Sequence, residues 1–409
     1  MYSSKKALWT VAGVSLAAAL AMVFIGFDRQ GFVVNIDDPY KYGEIARGFL
    51  ENGFDKVTRR AAMLYPHLLW FVYWAGGTNF TVQLIQVAMH VASCVLVFVI
   101  GTRLYNVRTA LLGGLATALH PMLLRYVADL HTETLLVFGT MVLVWCAIRF
   151  YDRPTVANGI LLGAVGMIAT LIKGVALPIV LAYVAFIVLR EVRRNGVALP
   201  ILVSALAVVV TMAVVVAPWT YRNYRVSGRF VLLTPGTADS FLRGYIFTRM
   251  EFATFKRSPY VDAETESNNW FKKIAADAGT TWEQDEIVDE ANNKAVMKRM
   301  IREQPLDTAR KFVVGLFTFW YEMTTLFNSM IPAGLAVVCW ILTLIGWKRS
   351  HAEGRPAWLL LLPIVITNVL VAALIPLGRY SVPILPCLVL LAAFGVDTLL
   401  DRQRRVEAL

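Results

Sequence analysis

Apolar runs of about 20 residues recur along almost the whole chain, each long enough to cross a hydrocarbon core of about 30 Å. In lipid, backbone N–H and C=O groups must pair within their own segment, so runs of this length read as helices. Hydrophobic residues make up 57% of the 409 residues and charged residues 16%, against roughly 25% charged in a soluble domain. The expected fold class is therefore an all-α polytopic membrane protein.

The net charge of +11 would suit a nucleic-acid partner if it were clustered on one surface. Instead the basic residues fall in short groups between the apolar runs, the positive-inside pattern, which points to a lipid bilayer and no nucleic acid. Groups at Arg103 and Arg108, Arg149 and Arg153, Arg190 to Arg194, Lys348 to Arg355 and Arg402 to Arg405 all belong on the cytoplasmic side. Ten spans satisfy every group: 8–27, 81–102, 109–125, 133–150, 157–173, 175–190, 198–218, 331–347, 357–376 and 380–399. Segments 65–77 and 312–327, rich in Trp, Tyr and Phe, read as interfacial helices, because counting either as a span places later basic groups outside. Lys5 and Lys6 precede an apolar run longer than the roughly 7–15 residues of a signal peptide core, so the first span reads as uncleaved. Both termini then lie in the cytoplasm.

The chain divides at 1–218, a membrane module with a first outer loop at 28–80; 219–330, a large outer loop; and 331–409, the last spans and a short tail. Within the large loop, Ile287, Val288, Ala291, Ala295, Met300 and Ile301 recur at helical spacing, and Pro305 should end that amphipathic helix. The cytoplasmic loops are short and carry no GxxxxGK[ST] motif, which argues against an ATP-driven machine. Cys94, Cys146, Cys339 and Cys387 lie within apolar segments and read as packing residues.

Polar chemistry gathers in the outer segments. Asp37-Asp38-Pro39-Tyr40-Lys41-Tyr42 offers two carboxylates suited to a general base or a cation ligand, although on residue types alone a turn capping a helix from Tyr40 to Leu50 is the favoured reading. Arg59 and Arg60, ahead of Tyr65-Pro66-His67, could hold a phosphate in bidentate fashion or snorkel to lipid headgroups. The hairpin after His120-Pro121 carries Arg125, Tyr126, Asp129, His131, Thr132 and Glu133, a polar density that belongs beside water rather than lipid. His131 and Glu133 are weak metal-ligand candidates, a satisfied interfacial histidine being the simpler reading. Lys173, Arg222, Asn223, Arg225, Arg243, Arg379 and Tyr380 also fall outside, against the usual statistics, and a cationic outer surface suits an anionic ligand. Pro383 and Pro386 should break the start of the last span near Arg379.

Taken in order, these segments resemble the C superfamily of membrane glycosyltransferases, in the bacterial branch related to protein mannosyltransferases and lipid A aminoarabinose transferases. The resemblance spans nearly the whole chain. It is carried by Asp38 with Tyr42 and Ala46; Tyr65-Pro66; Ala118-Leu119-His120-Pro121 with Thr132-Glu133-Thr134-Leu135; Ala217-Pro218-Trp219-Thr220-Tyr221-Arg222-Asn223-Tyr224-Arg225 with Gly228-Arg229-Phe230; and Arg379-Tyr380 with Pro383 and Pro386. It implies a bacterial inner-membrane enzyme that inverts a sugar from a polyprenyl-phosphate donor onto an extracytoplasmic acceptor, be it glycolipid, polysaccharide or protein. Asp38, with Asp37 beside it, would be the base. Arg59, Arg60, Lys173, Arg222 and Arg379 would hold the donor phosphate, and Tyr42, Tyr65, Tyr126, His131, Glu133, Asn223 and Tyr380 would line the cavity.

Lys173 stands where relatives often carry Arg, which keeps the charge but not the fork geometry. The sequence ends just after its last apolar run, without the soluble C-terminal domain of larger relatives, so their acceptors do not carry over. Metal dependence varies among related enzymes, which leaves a divalent metal ion open. A transporter of polyprenyl-linked sugars, or a non-catalytic envelope subunit, are the competing classes; a transporter would show two related halves with charges near the bilayer midplane, and neither is evident.

Overall fold

The computed structural model describes residues 4–30, 38–52, 64–196, 198–248, 259–321 and 326–407. Every regular element among them is a helix, as expected. In order these are α1 (Ser4–Gln30), α2 (Asp38–Asn52), α3 (Leu64–Trp74), α4 (Asn79–Leu104), α5 (Val107–Ala118), α6 (Pro121–Ala128), α7 (Thr132–Asp152), α8 (Val156–Ile172), α9 (Ala176–Asn195), α10 (Leu199–Ser227), α11 (Thr237–Phe247), α12 (Pro259–Asp277), α13 (Glu286–Glu303), α14 (Pro305–Thr318), α15 (Leu326–Ala352), α16 (Trp358–Ala373), a 3-10 helix (Gly378–Ile384) and α17 (Leu385–Glu407).

Among the described residues, six helices are long and apolar enough to cross a membrane, and a bent pair brings the number to seven. The ten spans expected from charge bookkeeping are thus not reached by length and apolarity. Helices α8 and α16, of 17 and 16 residues, are shorter than these six, and the last turns of α9 carry Arg190, Glu191, Arg193 and Arg194. The bent pair is the segment read as one span at 109–125. It breaks by 49° between α5 and α6, because Pro121 at the first position of α6 has no N–H to give and pushes His120 into an extended conformation. Segment 65–77 is the 11-residue α3, far too short to span. The expected loop helix is α13, and Pro305 does end it, then starts α14 from its first turn.

The 3-10 helix and α17 together form the centre of the bundle and are almost wholly buried, whereas α1, α10 and α15 are mostly exposed, with faces left for lipid. Around α17 pack α5, α15 and α16; α7 and α8 form a second pair, with α10 closing against α8. Gly159 and Gly163, four residues apart on α8, make that last contact: a Cβ at either would lie 2.5 Å from a carbonyl oxygen of α10, Ser204 or Val208. Small residues at this spacing let two membrane helices touch along their backbones.

At the end where α4, α7 and α17 finish, several of the basic groups are paired with carboxylates. Arg103 meets Asp152 at 2.7 Å, Arg108 meets Asp397 at 3.2 Å and Asp401 at 3.3 Å, and Arg349 meets Asp401 at 3.0 Å. Arg355 donates to the Leu104 and Tyr105 carbonyls at 3.0 and 2.9 Å, which closes the C-terminus of α4.

At the opposite end α2 packs on α3, and α11 to α14 form a helical cap with its own core of Phe241, Leu242, Tyr245, Phe271, Ile274 and Met300. Helix α10, at 29 residues and so about 43 Å, is longer than the hydrocarbon core, and its last turns reach this end.

Candidate active site at the loop end of the bundle

Glu133 sits in the first turn of α7, where a carboxylate complements the helix dipole, and its residue is 2% exposed. Burying such a charge demands partners. Lys173, the residue that ends α8, brings its Nζ to 3.8 Å from Glu133 Oε1, while His131 Nδ1 is 3.4 Å from Oε2 and the Thr132 hydroxyl donates to Oε2 at 3.2 Å. The Lys173 ammonium also lies 3.8 Å from the centroid of the Tyr380 ring. Carboxylate on one side and aromatic face on the other hold the ammonium in place.

Tyr380 and Arg379 come from the 3-10 helix, which packs among α6, α7, α16 and α17. Pro383 and Pro386 were expected to break this segment; instead the 3-10 helix runs straight into α17, and the two form one apolar helix over 378–403 whose first turns are wound more tightly. Arg379 Nη2 donates to the Tyr380 hydroxyl at 3.0 Å, its guanidinium lies 4.9 Å from the Tyr380 ring centroid, and it is near enough to Glu133 and Tyr126 to act on both electrostatically. A lysine and an arginine 206 positions apart in sequence thus share one tyrosine.

The first-loop helices close the same spot. Tyr42 of α2 packs edge-on against Tyr65 at 5.6 Å and against His131 at 6.3 Å, and Tyr126 meets His131 at 5.5 Å. Asp38 lies one helical turn before Tyr42, at the start of α2. The Asp38 side chain, and Asp37, Arg59 and Arg60 altogether, lie outside the described residues. On the polar connection between α6 and α7, burial raises the affinity of the Asp129 carboxyl for its proton, against the pull of His131 and of Arg125 at 3.8 Å.

Other expected site residues are engaged in holding the frame. Tyr65 is fully buried and donates its hydroxyl to Gln86 Oε1 at 2.7 Å. Gln86 in turn donates to the Val127 and Asp129 carbonyls, both at 2.9 Å, and Gln83 to the Ala128 carbonyl at 2.7 Å. These two glutamines satisfy the open end of α6 and fix the approach to His131. Sequence reading passed over them, although two glutamines three residues apart in an apolar span are a visible signal. Asn223 donates to the Val231 and Leu233 carbonyls at 2.9 Å each and accepts from Arg222 at 3.2 Å, so its amide pins the turn after α10. Arg222 lies over the Trp219 ring at 5.1 Å, and Leu233 of that turn rests beside Gly174, next to Lys173. Arg243, counted with the outer cations, is neutralised by Asp239 at 3.0 Å and Glu264 at 2.8 Å within the cap.

Among the described residues no three His, Cys, Asp or Glu side chains gather for a metal ion. His131 and Glu133 do come together, yet the ammonium of Lys173 stands against that carboxylate where a cation would sit. The described residues here therefore do not fit a metal.

Residues 61–220 match the family model of dolichyl-phosphate-mannose-protein mannosyltransferase. No curated protein matches the chain. Among solved structures, the apo oligosaccharyltransferase of Archaeoglobus fulgidus is 14% identical, with a TM-score of 0.62 over 100% of this chain and 52% of that one. The same organism's oligosaccharyltransferase AglB, in complex with an inhibitory peptide and a dolichol-phosphate, is 12% identical, with a TM-score of 0.59 over 100% and 52%. ArnT from Cupriavidus metallidurans, in the apo state, is 18% identical, with a TM-score of 0.55 over 95% and 59%. The chain spans about half the length of these solved proteins. At such identities the likeness is one of fold: this chain has the helical membrane fold that these transferases share.

Proposed function

We propose that this chain is a membrane glycosyltransferase that moves a sugar from a polyprenyl-phosphate donor to an acceptor on the extracytoplasmic side of the membrane. One observation carries the reading. Lys173 and Arg379, from distant parts of the chain, flank the Tyr380 ring directly beneath the first-loop helices. Two cations held beside apolar membrane helices suit a lipid phosphate, whose head is anionic and whose tail stays in the bilayer. A dolichol-phosphate bound to the archaeal neighbour, and the mannosyltransferase family model over 61–220, support the same donor class.

In this scheme Asp38, with Asp37 as its neighbour, accepts the proton of the acceptor nucleophile. The nucleophile forms its bond to the anomeric carbon as the bond from that carbon to the phosphate oxygen breaks, with inversion. The electron pair departs on the lipid phosphate, whose added charge Lys173 and Arg379 stabilise, joined by Arg59, Arg60 and Arg222. Glu133 does not touch the phosphate; it keeps Lys173 aimed across Tyr380. The cap helices share a hydrophobic cluster with Tyr380 through Ile246, Phe247 and Ala263, which favours a role for them on the acceptor side.

Purified protein in lipid nanodiscs, given a radiolabelled polyprenyl-phosphate sugar and envelope acceptors, should transfer label, while nucleotide sugars should give none. Label taken from a nucleotide sugar would overturn the proposal. So would movement of the intact donor across vesicles without transfer.

A further inference from the structure

Lys311 of α14 is 3% exposed, and its described partners include no carboxylate. Its Nζ donates to the Ala373 carbonyl at 2.7 Å and the Ala372 carbonyl at 3.3 Å, two of the acceptors that α16 leaves open at its C-terminus, and lies 4.7 Å from the centroid of the Phe241 ring. The backbones close in around this tie. A Cβ on Gly315 of α14 would come within 2.9 Å of the Ala372 oxygen, and a Cβ on Gly244 of α11 would overlap the Leu374 carbonyl outright. Four residues after Leu374 the 3-10 helix begins, and Tyr380 within it packs with Ile246, Phe247 and Trp270 of the cap.

We propose that Lys311 is a positioning residue: it fastens the cap to the end of α16 and thereby sets where the 3-10 helix holds Arg379 and Tyr380. Its functional consequence rests on reading that pair as the donor-phosphate site; the tie itself does not.

The tie responds to pH. Burial lowers the Lys311 pKa from the ordinary 10.5 to about 7. Helix α16 contributes no ionisable side chain. From α11 come Phe241 and Tyr245, whose hydroxyl is engaged by Gln304 and Asp307, and the paired Asp239 and Arg243. From α13 comes the exposed pair Arg302–Glu303 at 3.6 Å, and α14 itself adds Asp307 and Arg310. The burial exists only while α14 is docked, so the undocked cap binds the extra proton between about pH 7 and 10.5. Raising the pH through that window therefore favours docking.

Hydrogen exchange of the intact protein in nanodiscs, corrected for the intrinsic pH dependence of amide exchange, reads this directly. In the wild type, protection across 374–384 should rise roughly tenfold or more from pH 7 to pH 9. Lys311→Met should flatten that pH response, and Gly244→Ala, with an intact Lys311, should lower protection at both pH values. An unchanged pH response in Lys311→Met overturns the proposal. If that variant fails to fold, a wild type without the pH response, or a Gly244→Ala protein with wild-type protection, overturns it. Affinity for polyprenyl phosphate should follow the same pH course. A protein that shows the exchange signature but binds no lipid phosphate leaves the tie standing and removes the reading of the site.

Discussion

An Asp38→Asn protein should fold, bind the lipid donor as the wild type does, and transfer sugar about 10² to 10⁴ times more slowly. The carboxamide keeps the size of the side chain but cannot take a proton from the acceptor. Asp38 begins α2, one turn before Tyr42, and the Tyr42 contacts with Tyr65 and His131 tie that turn to the cluster of Glu133 and Lys173. The loss should therefore appear in kcat at saturating donor, with donor affinity little changed. Initial rates measured beside equilibrium binding of the donor separate the two. An Asn variant of wild-type rate would move the base to another group, with Asp37 first in line.

Arg379→Ala should lower kcat by about 10² to 10³, the cost of removing one preorganised donor from a developing oxyanion. The guanidinium is placed by its contact with the Tyr380 hydroxyl and ring, and the phosphate gains charge only as the sugar leaves. Arg379→Lys should recover part of the rate, since it restores the charge but not the two-pronged geometry. A pure rise in KM with unchanged kcat would show instead that Arg379 binds the resting donor and leaves the departing phosphate to other groups.

Much of this arrangement was legible in the sequence because it follows from where polar residues fall relative to apolar runs. Glu133, Lys173 and Arg379 each stand at the end of a span, and ends of spans on one side of a bundle must meet. The prolines at 383 and 386 marked the irregular segment that carries Arg379, which is a 3-10 start to the last helix rather than a break. What the sequence hid is pairing. A charge count treats Arg243 and Lys173 alike, but the first is closed off by Asp239 and Glu264 inside the cap, while the second is held by Glu133 beside the first-loop helices. The span read at 109–125 concealed its bend, since the two helices are apolar enough on either side of His120-Pro121 to read as one run. Length and apolarity pick out fewer spans than the charge pattern does, because a run such as α9 is apolar for most of its length and ends in charge. Lys311 was unreadable from pattern alone: its partners are backbone carbonyls of a helix 61 positions away.

The central claim is that Lys173 and Arg379 converge on a lipid phosphate at the loop end of the bundle. A structure of the protein with bound polyprenyl phosphate tests it most directly. The phosphate is expected within hydrogen-bonding distance of both cations, beside the Tyr380 ring, with its chain running down between the membrane helices. A lipid phosphate seated elsewhere, with Lys173 still closed onto Glu133 and Arg379 still on Tyr380, would contradict the account.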